Sequence, residues 1–253
     1  MVRVESHGAG PDLVLLHGWG MHGGVWGEFV PRLSAFARVY VVDLPGHGHS
    51  ALCTPYTVAS LTEAILDAVP EQAMWLGWSL GGMLALQAAA TRPQRVTRLG
   101  LMASSPCFMQ QPDWLCAMPE VVLQQFVDRL QADIAATVQQ FLALQALGSP
   151  EARRQVQQLR HSLHERPLAS AEALAAGLQL LRDSDLRPLL PAVKQPTVLL
   201  YGERDTLVPI GAAHWLQTQL PQARSLLLPQ SAHAPFLTHG RECAALIREV
   251  LYA

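Results

Sequence analysis

The chain has 253 residues, of which 50% are apolar and 15% are charged, so it can bury a large core and is not a disordered protein. Lys and Arg total 18 and Asp and Glu total 20, and the resulting net charge of −2 excludes the basic surface typical of nucleic-acid-binding proteins. The length suits one large α/β domain.

The four cysteines lie far apart and form no Cys-x-x-Cys pair, which predicts free thiols in a reducing compartment. Arg3 and Glu5 stand where a secretion signal requires an apolar segment. Residues 72–91 carry no charge and are long enough to span a bilayer, but polar residues and glycines interrupt them, which predicts a strand, a turn and a helix. We therefore expect a cytoplasmic protein.

Short apolar runs, separated by glycine-rich turns and helix-like stretches, recur at both ends of the chain. They occupy residues 13–16, 39–42, 73–76, 99–102, 197–201 and 225–228. Continuous apolar runs of this length are typical of strands that are covered on both faces. Helices between such strands predict a mostly parallel, doubly wound sheet.

Residues 109–185 differ from the rest of the chain, because they contain no strand-like run and only Gly148 and Gly177 of the 18 glycines. Amphipathic segments at 121–130 and 134–147 predict about four helices there. We interpret this segment as a helical cap inserted into a core formed by residues 1–108 and 186–253. An insertion that only covers apolar surface is the alternative to a lid over a site.

The sequence Gly77-Trp78-Ser79-Leu80-Gly81 fits the Gly-x-Ser-x-Gly motif of a nucleophilic serine. An apolar strand leads into it and a helix-like run follows, which is the strand–turn–helix setting that holds such a serine on a sharp turn. The motif predicts Ser79 as a nucleophile.

A serine nucleophile requires a base, and the base requires an orienting carboxylate. Asp205 and His233 each follow a predicted strand, in the chain order Ser, Asp, His that α/β-hydrolases use. Both therefore fall at the sheet edge where doubly wound folds build their sites. His17 is the competing candidate for the base, although we expect it to support its own loop.

Residues 18–23 read Gly-x-Gly-x-x-Gly after a strand, and Asp43 follows at the end of the next strand. This pattern also fits a dinucleotide site, with Asp43 on the ribose. Pro31 interrupts the helix that such a site requires. We favour an oxyanion hole, in which the backbone N–H groups of Trp19 and Leu80 stabilise the charge formed during acyl transfer.

A zinc site at Asp43, His47 and His49 is a further alternative. It lacks a Cys ligand and any His-Glu-x-x-His pattern, so a glycine-rich turn is the preferred interpretation. We expect no metal.

With these motifs, the chain resembles the α/β-hydrolases over essentially its whole length. Residues 75–82, 103–108, 141–145 and 232–236 resemble, more closely, the carboxylesterases of biotin synthesis. That resemblance implies hydrolysis of the methyl ester of pimeloyl-[acyl-carrier protein] without a cofactor, by Ser79, Asp205 and His233. It also implies substrate contacts at Trp19, Ser79, Leu80, Phe141, Leu142, Ala143, Leu144, Gln145 and His233.

The resemblance further implies an acidic carrier protein as partner, which a basic patch would attract. Arg153, Arg154 and Arg160 offer such a patch on the cap, although Glu151 and Glu165 flank it. We expect a monomer. A general short-chain carboxylesterase and a catalytically silent ligand-binding relative are the alternatives.

Overall fold

The computed structural model describes residues 1–253 and contains one seven-stranded sheet with the strand order β1-β3-β2-β4-β5-β6-β7. The strands are β1 (Val4–His7), β2 (Asp12–Leu16), β3 (Arg38–Val42), β4 (Ala73–Trp78), β5 (Val96–Met102), β6 (Thr197–Gly202) and β7 (Ala223–Leu228). All neighbouring pairs are parallel except β1 with β3. Every residue of β4 and β6 is buried, so the centre of the sheet is covered on both faces.

Ten helices accompany the sheet. They are α1 (Phe29–Ser34), α2 (Val58–Leu66), α3 (Leu80–Thr91), α4 (Glu120–Ala132), α5 (Ile134–Gln145), α6 (Ala152–Leu163), α7 (Ala171–Asp183), α8 (Ile210–Gln219), α9 (Pro235–Thr238) and α10 (Gly240–Leu251). Short 3-10 helices form at Gly23–Trp26 and Arg187–Ala192. The predicted α/β fold with a mostly parallel, doubly wound sheet is confirmed.

Helices α4 to α7 lie in sequence between β5 and β6, yet these two strands pair directly. One cluster of 77 buried apolar residues extends from the sheet into these helices, where it includes Leu142 and Leu178. All four helices fall within residues 109–185. The treatment of that segment as a separate cap domain stays a prediction.

The uncharged stretch at 72–91 divides into β4 and α3, as its interrupting residues predicted. None of the helices combines the length and the apolar character that crossing a membrane requires.

Candidate active site

Ser79 lies on the sharp turn between β4 and α3, with φ 54° and ψ −120°, a conformation that few non-glycine residues adopt. A β-carbon at Gly77 would overlap the Gly81 carbonyl oxygen, and one at Gly81 would overlap the Leu16 carbonyl oxygen. The two glycines are therefore required for steric reasons, and they allow β4 to turn directly into α3. The turn puts Ser79 at the carboxyl edge of the sheet.

Asp205 and His233 follow β6 and β7, and the structure brings them into contact. The His233 Nδ1–H donates to Asp205 Oδ2 over 2.8 Å, and both side chains are buried. The other carboxylate oxygen of Asp205 accepts from the N–H groups of Leu207, at 2.9 Å, and Val208, at 3.0 Å. Because these bonds hold the carboxylate and His233 Nδ1 keeps the ring proton, Nε2 is the basic nitrogen. It is buried and has no hydrogen-bond partner in the protein.

The backbone of His233 is anchored on both sides. Its N–H donates to the Gln145 carbonyl over 3.0 Å, and its carbonyl accepts from Trp78 Nε1 over 2.7 Å. Gln145 ends α5, so the histidine loop is bonded both to this helix and to the residue before Ser79. Sequence reasoning missed Trp78 because it occupies a variable position of the serine motif and its partner lies 155 positions away.

His17 supports the loop after β2 and is not a competing base. The Leu44 N–H donates to its Nε2 over 2.9 Å, so Nδ1 carries the proton and donates to the Gly18 carbonyl over 2.8 Å. Burial, together with the nearby charge of His47, lowers the pKa of His17 well below its usual value. A neutral ring with both nitrogens engaged has a structural role.

Trp19 and Leu80, the two predicted oxyanion donors, stand on the loop after β2 and at the first residue of α3. Leu80 therefore carries one of the N–H groups that have no acceptor within the helix. The Trp19 side chain is buried; its Nε1 donates to the Leu174 carbonyl over 2.9 Å, and its ring meets Phe141 edge-on at 4.9 Å between centroids. The loop thus packs against α5 and α7.

The predicted contact segment on α5 divides between two faces of the helix. Phe141, Leu142 and Gln145 are buried, whereas Ala143 and Leu144 line an outer groove of about 270 Å³ between α4 and α5. The side-chain amide of Gln145 is buried, and neither its nitrogen nor its oxygen has a partner. The structure therefore brings Phe141 to Trp19 and Gln145 to His233, but places Ala143 and Leu144 on the opposite side.

Asp43 is fully buried, and its carboxylate accepts from the Gly23 N–H over 2.7 Å and from Arg166 over 2.9 Å. The glycine loop continues into the 3-10 helix at Gly23–Trp26, where a dinucleotide site requires the start of an α-helix. A carboxylate engaged in this way is not available to a ribose. The dinucleotide interpretation of residues 18–23 is therefore excluded.

The zinc alternative also requires the Asp43 carboxylate, which is already engaged by Gly23 and Arg166. His47 is buried with its Nδ1 on the Pro45 carbonyl, at 3.1 Å, whereas the side chain of His49 is exposed. No group of three or more His, Cys, Asp and Glu side chains in the chain is arranged to hold a metal ion.

The three arginines of the predicted docking patch lie exposed on α6. Arg154 pairs with Glu151 at 3.2 Å, and Arg160 Nε donates to the Gln139 side chain over 2.8 Å. The side chain of Arg153 forms neither an ion pair nor a hydrogen bond.

Comparison with known proteins agrees with this geometry. Residues 11–240 match the family described as having the alpha/beta hydrolase fold. The chain is 46% identical to the pimeloyl-[acyl-carrier protein] methyl ester esterase of Vibrio campbellii over 97% of this chain and 96% of that protein. It is 48% identical to the protein of the same name from Edwardsiella ictaluri, over 94% and 93%.

Among solved structures, an esterase from Exiguobacterium antarcticum superimposes with a TM-score of 0.88 over all of this chain and 96% of that one. At 23% identity, this likeness concerns the fold. The relatives and the matched family model, in contrast, show the family to which the chain belongs. The chain belongs to the α/β-hydrolase family and, within it, to the family of the pimeloyl-[acyl-carrier protein] methyl ester esterases.

Proposed function

We propose that the chain is a serine carboxylesterase that hydrolyses the methyl ester of pimeloyl-[acyl-carrier protein] to pimeloyl-[acyl-carrier protein] and methanol, in biotin synthesis. The observation that carries this proposal is the set of curated relatives with that name, at 41–48% identity over nearly the whole chain. The buried contact between His233 and Asp205 beside the Ser79 turn supports the same chemistry.

The proposed reaction proceeds through an acyl-enzyme. Ser79 Oγ attacks the ester carbonyl while His233 Nε2 accepts the hydroxyl proton, and Asp205 stabilises the resulting imidazolium. The N–H groups of Leu80 and Trp19 stabilise the oxyanion. Methanol then leaves with the proton from His233, and a water molecule, activated by the same nitrogen, releases pimeloyl-[acyl-carrier protein] from Ser79.

The proposed substrate contacts combine an apolar wall with one polar group. Trp19 and Phe141 present packed aromatic surface that suits the methylene chain of a pimeloyl group. A buried amide with no partner is unfavourable, so the side chain of Gln145 is suited to a polar atom of the substrate. The backbone carbonyl of Gln145 accepts from the His233 N–H, so the residue that carries this amide neighbours the proposed base.

We further propose that helices α4 to α7 act as a cap and that the acidic carrier protein docks on α6 through Arg153, Arg154 and Arg160. Their exposure makes the three guanidinium groups accessible to a partner. We propose that the reaction takes place in the cytoplasm, where reducing conditions suit the four free thiols of the chain. We propose a monomer as the active form.

Methanol release from the carrier-bound methyl ester tests the proposed function. We expect efficient turnover of this substrate and a lower kcat/KM for a short soluble ester such as p-nitrophenyl acetate. Equal or better use of the short ester, with no turnover of the carrier-bound ester, would instead identify a general carboxylesterase. No hydrolysis of either ester would identify a silent relative.

Reversal of charge on α6 tests the docking surface. The double variant Arg153→Glu, Arg154→Glu is expected to raise KM for the carrier-bound ester and to leave the short ester unaffected, because only the former needs the partner contact. Arg248→Glu is the matched control, since Arg248 is an exposed arginine on α10 of the core. Equal effects of the double variant on both substrates would remove the docking role.

A further inference from the structure

The backbone of Ser79 is held at both of its polar atoms by residues at the end of β5. The Ser79 N–H donates to the Met102 carbonyl over 3.0 Å, and the Ser104 hydroxyl donates to the Ser79 carbonyl over 2.7 Å. Ala103, between these two partners, has a φ of 44°, which is uncommon for a residue with a side chain. After this turn, the Ser104 side chain lies within hydrogen-bond distance of the Ser79 backbone carbonyl.

The Ser104 bond has a geometric consequence for the next residue. The Ser79 carbonyl and the Leu80 N–H belong to one planar trans peptide, so they point in opposite directions. A donor that holds the carbonyl oxygen therefore also fixes the direction of the Leu80 N–H. The same arrangement occurs on the other oxyanion loop, where His17 donates to the Gly18 carbonyl and so fixes the Trp19 N–H.

The surroundings of Ser104 are built to keep its hydroxyl in place. Ser104 is 1% exposed, and its own carbonyl accepts a hydrogen bond from the Tyr201 hydroxyl. The atoms nearest to a β-carbon added at Gly82 would be Oγ and Cβ of Ser104, which it would overlap. Glycine at this position, just after the serine motif, thus leaves the space that the Ser104 side chain occupies.

We infer that Ser104 is a positioning residue for ester hydrolysis, which orients the Leu80 N–H toward the oxyanion by holding the Ser79 carbonyl. This inference rests on the proposed function. The oxyanion forms only as Ser79 attacks, so the Ser104 bond contributes to the transition state and not to binding of the ester.

The size of the effect follows from what remains after the hydroxyl is removed. The Gly82 N–H also donates to the Ser79 carbonyl, over 2.9 Å, so the peptide is loosened but still held. Complete loss of one oxyanion donor lowers kcat about 10²–10³-fold. We expect a smaller loss, of about tenfold, for Ser104→Ala, because the donor stays but its orientation is less restricted.

The test compares Ser104→Ala and Ser104→Cys with Ser105→Ala. Ser105 is the matched control, because it is also buried, at 3% exposed, and its hydroxyl donates to the Cys107 carbonyl without contact to Ser79. For each variant we would measure kcat, KM and the pH profile on a short soluble ester, the melting temperature, and the affinity for a trifluoromethyl ketone. This ketone forms a tetrahedral adduct with a serine nucleophile and mimics the oxyanion.

For Ser104→Ala we expect kcat and the ketone affinity to fall by the same factor, with KM and the pH profile unchanged. Ser104→Cys should fall between Ser104→Ala and the wild type, because a thiol is a weaker donor. Tyr201→Phe removes the support of Ser104 but keeps its hydroxyl, and should give a smaller loss of kcat. If Ser104→Ala fails to fold, Ser104→Cys and Tyr201→Phe carry the same comparison.

Losses in Ser104→Ala no greater than those in Ser105→Ala would overturn the inference, as would a change confined to KM or an unchanged ketone affinity. Turnover of the carrier-bound ester by the wild type decides the proposed function separately. All ratios for Ser104 come from the short ester, so the substrate assignment can fail while the positioning role stands.

Discussion

Arg166 joins the segment between β5 and β6 to the first strands of the chain through two ion pairs, and its replacement by methionine should destabilise the fold. The residue lies between α6 and α7, where its guanidinium contacts Asp43 at 2.9 Å and Glu5 at 2.7 Å. The Arg166 side chain is 11% exposed and that of Asp43 is 0% exposed. Arg166→Met keeps most of the apolar stem but leaves a buried carboxylate without its cation.

Removal of one partner from a buried ion pair costs about 3–5 kcal/mol. Asp43 retains hydrogen bonds from the N–H groups of Gly23, at 2.7 Å, and His49, at 2.9 Å, which favours the lower end of that range. We therefore expect a loss of about 3 kcal/mol in the free energy of unfolding. For a chain of this length, the loss corresponds to a fall in melting temperature of roughly 6–12 °C.

The loss should depend on pH. Burial by itself would raise the pKa of Asp43, but the hydrogen bonds from the N–H groups of His49 and Gly23 and the positive charge of Arg166 outweigh burial and lower this pKa below its usual value. A lowered pKa in the folded state stabilises the fold above the pKa of the unfolded chain, and this contribution disappears as the pH falls through the folded value. The difference between wild type and Arg166→Met should therefore be full at neutral pH and shrink below about pH 4.

Thermal unfolding followed by circular dichroism, at neutral pH and at a series of acidic pH values, measures both effects. Arg154→Met is the control, because its pair with Glu151 is exposed on α6 and such pairs contribute about 0–1 kcal/mol. An equal fall in melting temperature for the two variants would refute the reasoning. So would a difference between wild type and Arg166→Met that does not change with pH.

Three further outcomes are expected. For a short ester, His233→Ala should remove most of the activity, because Ser79 then lacks the base that accepts its proton; near-wild-type kcat/KM in this variant would transfer the base to another residue. Gly177→Ala should lower kcat, because a β-carbon there would lie 2.7 Å from Trp19 Cδ1 and displace the oxyanion loop. The control is Ala175→Gly, on the exposed side of α7, and steady-state kinetics compare the kcat values of the two variants. Titration with NADH should give no saturable binding, and micromolar binding that competes with an ester would restore the dinucleotide interpretation of residues 18–23.

The sequence predicted the central strands because a strand that is covered on both faces needs an uninterrupted apolar run. It missed β1 (Val4–His7), which pairs with β3 as an antiparallel edge strand and has three polar residues among its four. Val4 and Glu5 are half-buried, and Ser6 and His7 are exposed. An edge strand needs no continuous apolar run, so nothing in its composition distinguished it from a loop.

Within the site, the residues that carry the chemistry could be predicted from the sequence, but the residues that hold them in place could not. Ser79, Asp205 and His233 each follow a strand, and parallel strands bring their carboxyl ends to one edge of a sheet. Ser104 reaches Ser79 across 25 positions and Arg166 reaches Asp43 across 123. Neither contact has a local pattern, because each depends on how two distant segments pack together.

The central claim is that ester hydrolysis passes through a covalent intermediate on Ser79. The most direct measurement is mass spectrometry of the intact protein, quenched with acid during turnover of the carrier-bound methyl ester, followed by peptide mapping. The account predicts a mass increase equal to the mass of pimeloyl-[acyl-carrier protein] minus one water, because only methanol leaves and the bond to the carrier protein stays intact. The adduct should be located on Ser79 and absent in Ser79→Ala, which should remain folded but lose activity by several orders of magnitude. An acyl group on another residue, or near-wild-type turnover by Ser79→Ala, would contradict it.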